Sequence, residues 1–214
     1  MKLYKYHSIN KNLIWSLIEK KNWYSKFENL NDPFEALFND ETNTGIYGNL
    51  RSSMRICCFS KNRDEILMWS HYADEHRGVC LEFECGENTD FLGSIFNVEY
   101  ENNLTKIDNV ELTKNGNLLI NNETNGKWVR RKLGTWKYEE EVRKILIDDH
   151  NSSNGLTRDF PGKLAALYFG IRASNEYIEL IQNITSNEED LKYFKVELNI
   201  ETGKMSKLER INRT

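Results

Sequence analysis

Residues 136–143 read Trp-Lys-Tyr-Glu-Glu-Glu-Val-Arg. Two of the glutamates and the arginine occupy every second position at the end of this segment. If a strand begins near Tyr138, its period of two places Glu139, Glu141 and Arg143 on one face. Neighbouring carboxylates raise the proton affinity of one of the pair, and an arginine can offset their repulsion. Such a trio suits a site that holds a sugar hydroxyl or stabilises a developing cation. A solvated edge strand with glutamate–arginine pairs at its surface is the simpler interpretation.

Aromatic and histidine side chains are concentrated in residues 67–78, namely Trp69, His71, Tyr72 and His76. The two histidines are five residues apart, so they do not share a helix face as a zinc-binding pair would. The cysteines complete no standard zinc pattern either, and the sequence therefore predicts no metal site. Trp69 and Tyr72 have the spacing of core residues. A hydrolase that uses His71 or His76 is one functional hypothesis for this segment.

Ser60 closes the apolar segment at residues 56–60, where a predicted strand meets a loop. A serine nucleophile at such a turn would need the flanking glycines of Gly-x-Ser-x-Gly, which the chain lacks. No P-loop, Gly-x-Gly-x-x-Gly or kinase motif occurs. The sequence therefore favours neither a serine hydrolase nor a phosphate-loop enzyme.

A basic run at residues 127–132 is bracketed by Trp128 and Trp136. Basic side chains interleaved with aromatic ones can bind single-stranded nucleic acid. A charged surface loop is the simpler interpretation. A second functional hypothesis is a non-enzymatic nucleic-acid- or protein-binding module. Its contact surface would consist of Trp128, Arg130, Arg131 and Trp136.

The composition limits which kinds of protein this chain can be. With 214 residues, 39% of them hydrophobic and 12% aromatic, the chain can form one domain with a substantial core. Its net charge of -4 argues against a protein that coats duplex nucleic acid. The amino terminus lacks an apolar leader, no segment approaches the roughly 18 apolar residues of a membrane span, and the four cysteines form no Cys-x-x-Cys pair. We expect reduced core thiols and a cytoplasmic protein with no membrane partner.

The pattern of elements predicts an α+β fold rather than a doubly wound one, as a single domain over residues 1–214. Its sheets are expected to be mixed or mainly antiparallel, with flanking helices. The predicted strands are residues 2–7, 54–60, 79–85, 95–100, 167–172 and a closing hairpin at 194–200 and 205–211. The predicted helices start after Ser8, at Phe34 after the turn Asn31-Asp32-Pro33, at Ile66 (running to residue 76) and after Ser174. In the strand at 79–85, Val79, Leu81, Phe83 and Cys85 are expected inward, and Glu82 and Glu84 outward. Residues 101–127 look like a polar insertion.

Six separated motifs resemble those of a bacterial family catalogued as domain-of-unknown-function family 2971. They are Leu-Tyr-Lys-Tyr-His-Ser-Ile from Leu3, Asn-Asp-Pro-Phe-Glu from Asn31, Cys-Phe-Ser from Cys58, Leu-Met-Trp-Ser-His-Tyr-Ala from Leu67, His-x-Gly-Val-Cys-Leu-x-Phe from His76 and Trp-x-Tyr-Glu-x-Glu-x-Arg from Trp136. The motifs span nearly the whole chain, but the family name implies no mechanism.

The opening Leu-Tyr-basic strand followed by a helix also resembles the start of the ADP-ribosyltransferases. In that superfamily a first-strand His or Arg holds NAD, a middle-strand Ser or Tyr shapes the pocket, and a late strand carries the catalytic glutamate. The resemblance assigns these roles to Lys5 or His7, to Ser60 or Tyr72, and to Glu141 with Glu139 as its rival. It implies an ADP-ribosyltransferase-like fold. The residues expected to bind NAD are Lys5, Tyr6, His7, Ser60, Trp69, His71 and Tyr72, and the expected catalytic residues are Glu141, Glu139 and Arg143.

The implied chemistry is the departure of nicotinamide from a ribosyl carbon through an oxocarbenium-like transition state. A carboxylate bound to a ribose hydroxyl stabilises that cation, and no metal is needed. NAD would therefore be the substrate, with protein, nucleic acid or water as acceptor. The basic run at residues 127–132 favours nucleic acid. A toxin or phage-defence effector with an antitoxin partner is the expected biological setting.

Overall fold

The computed structural model describes residues 1–32, 34, 52–86, 95–103, 127–148 and 154–212. Within these residues the helices are α1 (Lys11–Glu19), α2 (Ile66–Tyr72), α3 (Lys127–Arg130) and α4 (Asn175–Ile184), with 3-10 segments at Phe27–Asn29 and Gly134–Glu139. The strands are β1 (Lys2–His7), β2 (Lys21–Ser25), β3 (Met54–Ser60), β4 (Val79–Glu84), β5 (Ile95–Asn97), β6 (Glu99–Glu101), β7 (Arg131–Leu133), β8 (Glu141–Ile147), β9 (Gly155–Asp159), β10 (Lys163–Phe169), β11 (Lys192–Asn199) and β12 (Lys204–Ile211).

Ten of the described strands form one sheet, and its pairings are antiparallel except between β10 and β11. The main order is β12-β11-β10-β4-β1-β3-β2-β9, while β8 pairs with both β3 and β5. Strands β6 and β7 form a separate parallel pair. The prediction of a mixed α and β chain with mainly antiparallel sheets and flanking helices is confirmed. No described helix has the length and apolar character needed to cross a membrane.

Strand β3 has different neighbours along its two edges. One edge pairs with β8 over its full length, from Met54 to Ser60. On the other edge, β1 pairs at Ser60 and β2 pairs at Ile56. Between these two points no register pair joins the described parts of β1 or β2 to β3. The sheet therefore has a gap beside the middle of β3.

The core lies on both faces of β1. Its Leu3 side belongs to a large apolar cluster that also receives Leu13 and Leu17 of α1 and Ile181 of α4. Its Tyr6 side packs into a second cluster. Leu3 and Tyr6 thus face opposite sides of the sheet. The four cysteines are free thiols, and three of them are buried, as the sequence predicts.

Two helix boundaries differ from the prediction. The cap of α1 is Asn10 rather than Ser8, since the Asn10 side chain accepts hydrogen bonds from the backbone N–H groups of Asn12 and Leu13. Helix α2 ends at Tyr72 rather than at residue 76, because the next turn contains three residues in the left-handed conformation, Asp74, Glu75 and His76. This turn packs so tightly that a Cβ atom on Gly170 would lie 2.1 Å from the His76 carbonyl oxygen. The cap of α4 by Ser174 is confirmed.

Strand β4 is buried on both faces from Val79 to Phe83, contrary to the prediction that Glu82 points outward, whereas Glu84 is exposed as predicted. Glu82 is 3% exposed, and its carboxylate accepts a hydrogen bond from the Tyr168 hydroxyl at 2.6 Å and pairs with Lys2 at 2.6 Å. The expected strand at residues 167–172 begins earlier and ends earlier, at Lys163–Phe169. Strands β2 and β9 were not predicted. The expected helix from Phe34 and most of the expected insertion at 101–127 lie outside the described residues.

Candidate functional site

The gap beside β3 is bridged by a side chain. Lys5 of β1 donates a hydrogen bond from Nζ to the Cys58 carbonyl oxygen at 2.8 Å. A backbone carbonyl that has lost its strand partner needs another donor, and the ammonium group supplies it. The same Nζ atom lies 5.1 Å from the centre of the Phe59 ring. Lys5 therefore sits at the floor of a cleft that opens where β1 and β2 part.

The inner part of this cleft is a cavity of about 280 Å³, here called the inner cavity. Tyrosine and phenylalanine rings form much of its wall, and its charged groups are Lys5, Lys132, Glu139 and Glu141. Its lining comprises Tyr4, Lys5, Tyr6, Asn29, Leu30, Asn31, Cys58, Phe59, Ser60, Met68, Tyr72, Lys132, Glu139 and Glu141. An aromatic wall around a few charged groups is the usual composition of a small-molecule site.

Glu139 and Glu141 meet at the ammonium group of Lys132. Its Nζ atom lies 2.7 Å from Glu139 Oε2 and 3.4 Å from Glu141 Oε2. All three side chains are at most 5% exposed. Lys132 also lies over the Trp136 ring, 4.7 Å from its centre. The two carboxylates are therefore held close together by one shared cation, which reduces their mutual repulsion.

The backbone brings the two glutamates together through a turn rather than along one strand. Glu139 ends the 3-10 segment, Glu140 adopts a left-handed conformation (φ 43°), and Glu141 starts β8. The prediction that a strand runs from Tyr138 is therefore wrong, although the expected proximity of the carboxylates is found. Ser60 fixes this turn, because its hydroxyl donates to the Glu139 carbonyl oxygen at 2.6 Å.

Arg143 holds Glu141 from two positions further along β8. Its Nε donates to Glu141 Oε1 at 2.7 Å and its Nη2 to Glu141 Oε2 at 3.0 Å, while Nη1 donates to the Val129 carbonyl oxygen at 2.9 Å. The guanidinium is fully buried, so the pair is shielded from water. β8 lies between β3 and β5, and the alternative of a solvated edge strand is therefore wrong.

Tyr72 contacts the other carboxylate. Its hydroxyl donates to Glu139 Oε1 at 2.5 Å and accepts a hydrogen bond from the Asn31 side chain at 2.6 Å. Burial raises the pKa of Tyr72, and the adjacent Glu139 raises it further, so the hydroxyl keeps its proton. Tyr100 contacts Glu141 through the backbone instead, since its hydroxyl oxygen accepts a hydrogen bond from the Glu141 N–H at 2.8 Å.

The two carboxylates differ in proton affinity. Burial raises the pKa of Glu139, the Glu141 charge adds to the rise, and Lys132 offsets only part of it. Burial acts in the same direction on Glu141, but Arg143 and Lys132 outweigh it and lower the pKa of Glu141 to about 2. Glu141 is therefore a permanent anion near neutral pH. Glu139 is the carboxyl group better suited to gaining and losing a proton.

The structure brings most of the predicted site residues to the cleft. Lys5, Tyr6, Ser60, Tyr72, Glu139 and Glu141 line the inner cavity. Arg143 stands behind Glu141. His7 lines an adjoining cavity that also receives Lys5, Tyr6 and Tyr72.

Two expected NAD-binding residues are elsewhere. Trp69 is fully buried, donates its indole N–H to the Arg63 carbonyl oxygen at 2.8 Å, and packs edge-on against Tyr6, so it supports the cavity wall from behind. His71 is exposed, and its ring lies 6.3 Å from that of Tyr138. Neither residue is among the described residues that line the cleft. Trp69 therefore lies in the core, as its spacing predicts, whereas Tyr72 is half-buried and lines the inner cavity.

The side chains of the basic run that the structure describes are buried or half-buried. Arg131 is 7% exposed, and burial lowers its pKa. Arg130 lies over the Phe96 ring at 5.6 Å and pairs with Glu99 at 3.8 Å. Trp136 is half-buried beside Tyr138. The side chain of Trp128 lies outside the described residues.

Lys132 was not singled out from the sequence, although it is the cation on which the acid pair depends. It belongs to the basic run, and nothing in its spacing distinguishes it from its neighbours. Tyr100 and Asn31 were missed for a different reason, since each reaches the site through a contact with a residue 41 positions away in the sequence. Among the described residues, no group of three or more His, Cys, Asp and Glu side chains is arranged to hold a metal ion.

Comparison with known proteins bears on the segment that carries this acid pair. No curated protein and no solved structure matches the chain. A family model described as "Protein of unknown function (DUF2971)" matches residues 68–144. This segment includes Tyr72, Lys132, Glu139, Glu141 and Arg143, and the match supports the resemblance to that family.

Proposed function

We propose that the protein is an ADP-ribosyltransferase-like enzyme that cleaves NAD and transfers the ADP-ribosyl group to an acceptor. The observation that carries the proposal is the acid pair at the inner cavity. Glu139 and Glu141 share Lys132 but have pKa values shifted in opposite directions. Two carboxyl groups whose pKa values differ in this way can take different roles in one reaction. One remains an anion, and the other transfers a proton.

Glu141 supplies the negative charge in this mechanism. The bond between the ribosyl C1′ and the nicotinamide nitrogen breaks, and its electron pair leaves with the ring, which becomes neutral nicotinamide. The ribosyl group becomes an oxocarbenium-like cation. The Glu141 carboxylate accepts a hydrogen bond from a ribose hydroxyl and stabilises this charge, while Arg143 fixes its orientation.

Glu139 supplies the proton-transfer function. The acceptor's hydroxyl, amine or amide attacks C1′ and loses a proton as the new bond forms. The Glu139 carboxylate takes this proton, which its raised pKa favours. Tyr72 and Lys132 hold the side chain in position. With water as the acceptor, the same mechanism would release free ADP-ribose.

The surrounding wall suits the group that departs. Tyr4, Tyr6, Phe59 and Tyr72 line the inner cavity, and flat aromatic rings pack well against a nicotinamide ring. The cavity of about 280 Å³ is just below the range for small-molecule sites, about 300–1,000 Å³. We also propose the ADP-ribosyltransferase-like fold that the sequence resemblance implies.

The test is release of nicotinamide from NAD labelled in the nicotinamide ring, with a second label in the adenylate to follow transfer. The wild-type protein is incubated with NAD alone, and with protein and nucleic-acid fractions of a bacterial extract. Glu141→Gln is expected to lower nicotinamide release about 100-fold or more, as removal of one charge-stabilising group commonly does. Glu139→Gln should lower transfer to the acceptor more than it lowers release.

Glu140→Gln is the matched control, because Glu140 lies between the two glutamates and is exposed. It should retain wild-type activity. Since Glu141→Gln disturbs a buried ion pair, Glu141→Asp is assayed beside it; this variant keeps the charge but withdraws the carboxylate, and it should also lose most activity. Circular dichroism of each variant checks that it is folded. Absence of nicotinamide release with every fraction, or equal rates for wild type and a folded Glu141→Gln variant, would contradict the proposal.

A further inference from the structure

A second cavity adjoins the inner one on the side where β1 and β2 part. This outer cavity has a volume of about 610 Å³. It shares Lys5, Tyr6, Leu30, Cys58 and Tyr72 with the inner cavity, so the two are parts of one cleft. The acid pair lies only in the inner part. A substrate that reacts at Glu141 can therefore extend into the outer part without meeting another carboxylate among the described lining residues.

Two tryptophans line the outer cavity, Trp15 of α1 and Trp23 of β2. They are 43% and 49% exposed, although tryptophan is the side chain with most apolar surface to bury. Trp23 is held in place by close packing, since a Cβ atom on Gly155 would lie 2.4 Å from its ring. Two exposed indole rings on the wall of one cavity are typical of a surface that stacks against a flat ring.

The polar groups of the outer cavity are almost all uncharged. Lys5 is the one charged side chain among its described lining residues, and its Nζ is bound to the Cys58 carbonyl. The His7 Nε2 atom is buried and has no hydrogen-bond partner within the described part of the chain. Burial lowers the pKa of His7 to about 3, so its imidazole is neutral and offers one donor and one acceptor nitrogen.

We propose that the outer cavity binds the adenine ring of the dinucleotide, with Trp15 and Trp23 as stacking surfaces and His7 as a hydrogen-bonding partner. The inference rests on the proposed function, because it assigns the second half of the same substrate. A neutral, flat heterocycle with donor and acceptor atoms on its edge matches a cavity with two indole rings and few charges. The arrangement places the two halves of the dinucleotide on either side of Lys5.

Binding of the two halves is measured separately by titration calorimetry. The probes are adenosine, which has no charge, and nicotinamide mononucleotide, with NAD as the whole substrate. Replacement of a base-stacking aromatic by alanine costs about 1–3 kcal/mol, which corresponds to about 5- to 150-fold in affinity. Trp15→Ala and Trp23→Ala should each weaken adenosine and NAD binding by factors in this range and leave nicotinamide mononucleotide binding unchanged.

Trp15→Phe and Trp23→Phe should restore most of the adenosine affinity, because phenylalanine retains a stacking face. Tyr177→Ala is the matched control; Tyr177 is an aromatic residue of α4 that is 48% exposed and lines neither cavity. Failure of adenosine to bind the wild-type protein would overturn the inference, as would an equal loss of nicotinamide mononucleotide affinity in the tryptophan variants.

The failure of this inference can be told apart from failure of the proposed function. If Glu141→Gln abolishes nicotinamide release while both alanine variants keep the wild-type KM for NAD, the transferase stands and the adenine assignment falls. If adenosine binds through the tryptophans but no nicotinamide is released, the cavity is an adenine site and the transfer chemistry falls. Glu141→Gln should leave adenosine affinity unchanged, because Glu141 does not line the outer cavity.

Discussion

Lys5 Nζ lies 2.8 Å from the carbonyl oxygen of Cys58, at the place where β1 and β2 leave the same edge of β3. A lysine side chain here does what a neighbouring strand does elsewhere in the sheet, namely supply a donor to a backbone carbonyl. This allows the sheet to open without leaving the carbonyl unsatisfied. The cleft is thus compatible with a continuous ten-stranded sheet.

Lys5→Met should lower the free energy of unfolding by about 1–3 kcal/mol, because it leaves a partly buried carbonyl without its donor. The measurement is urea denaturation followed by circular dichroism. Lys11→Met is the control, since Lys11 is exposed at the start of α1, and it should change the stability by less than about 0.5 kcal/mol. Equal stabilities for the two variants would show that the carbonyl does not depend on Lys5.

Tyr72→Phe should move the titration of Glu139 to higher pH. The Tyr72 hydroxyl donates to the Glu139 carboxylate and thereby favours its ionised form, so its loss adds to the effect of burial. The measurement is the pH dependence of the Glu139 side-chain carbon signal by nuclear magnetic resonance. Tyr177→Phe should leave that titration in place. A shift to lower pH in Tyr72→Phe would mean that the hydrogen bond does not act on the carboxylate.

Glu141→Gln should destabilise the protein near neutral pH by about 3–5 kcal/mol, since it leaves the buried Arg143 without its counter-charge. The loss should shrink in acid. Glu141 has a pKa lowered to about 2 from its ordinary 4.5, so the folded state binds fewer protons than the unfolded state between these values. Its contribution to stability is complete above the unfolded pKa and is lost as the pH falls towards 2.

Urea denaturation of the wild type and Glu141→Gln across pH 2–7 measures this linkage. The wild type should lose stability more steeply than the variant on the acid side of the pH range. Glu140→Gln, whose side chain is exposed, should follow the wild-type curve. Parallel curves for wild type and Glu141→Gln would mean that the pKa of Glu141 is the same in the folded and unfolded states.

Gly170→Ala should cost at least about 3 kcal/mol or prevent folding, because the new methyl group would lie 2.1 Å from the His76 carbonyl oxygen and backbone cannot move aside as a side chain can. Thermal melting or recovery of soluble protein reports the effect. Gly86→Ala makes the matching comparison, since no atom lies within 4 Å of a Cβ placed there. Normal melting of Gly170→Ala would mean that the left-handed turn after α2 relaxes readily.

The sequence predicts elements whose signals are local. Strand β3 and helix α4 follow from apolar runs and caps within their own residues, and the structure confirms them. Strand β2 escaped detection because its pattern is inverted: Asn22 is buried while Trp23 is half exposed. A polar residue inside and an indole outside cancel the alternation that marks a strand.

The candidate site was predicted only in part, because part of its geometry depends on tertiary contacts. The Glu-x-Glu-x-Arg spacing identified the acid pair, and the structure places both glutamates at one cavity. The geometry that joins them was not predictable from spacing, because the left-handed Glu140 is fixed by tertiary contacts such as Ser60 to the Glu139 carbonyl. Lys132 lies on β7, and its contacts with the two glutamates depend on how the chain folds between them, so its local sequence does not reveal its role.

Strand β1 lies at the centre of the sheet although it is the first strand of the chain. Its neighbours β3 and β4 lie more than forty residues downstream, and the acid pair belongs to β8 and the turn before it. During synthesis on a ribosome, β1 therefore emerges before the strands with which it pairs. The cleft cannot assemble until β8 has emerged, because Glu141 starts that strand and Glu139 lies in the turn before it.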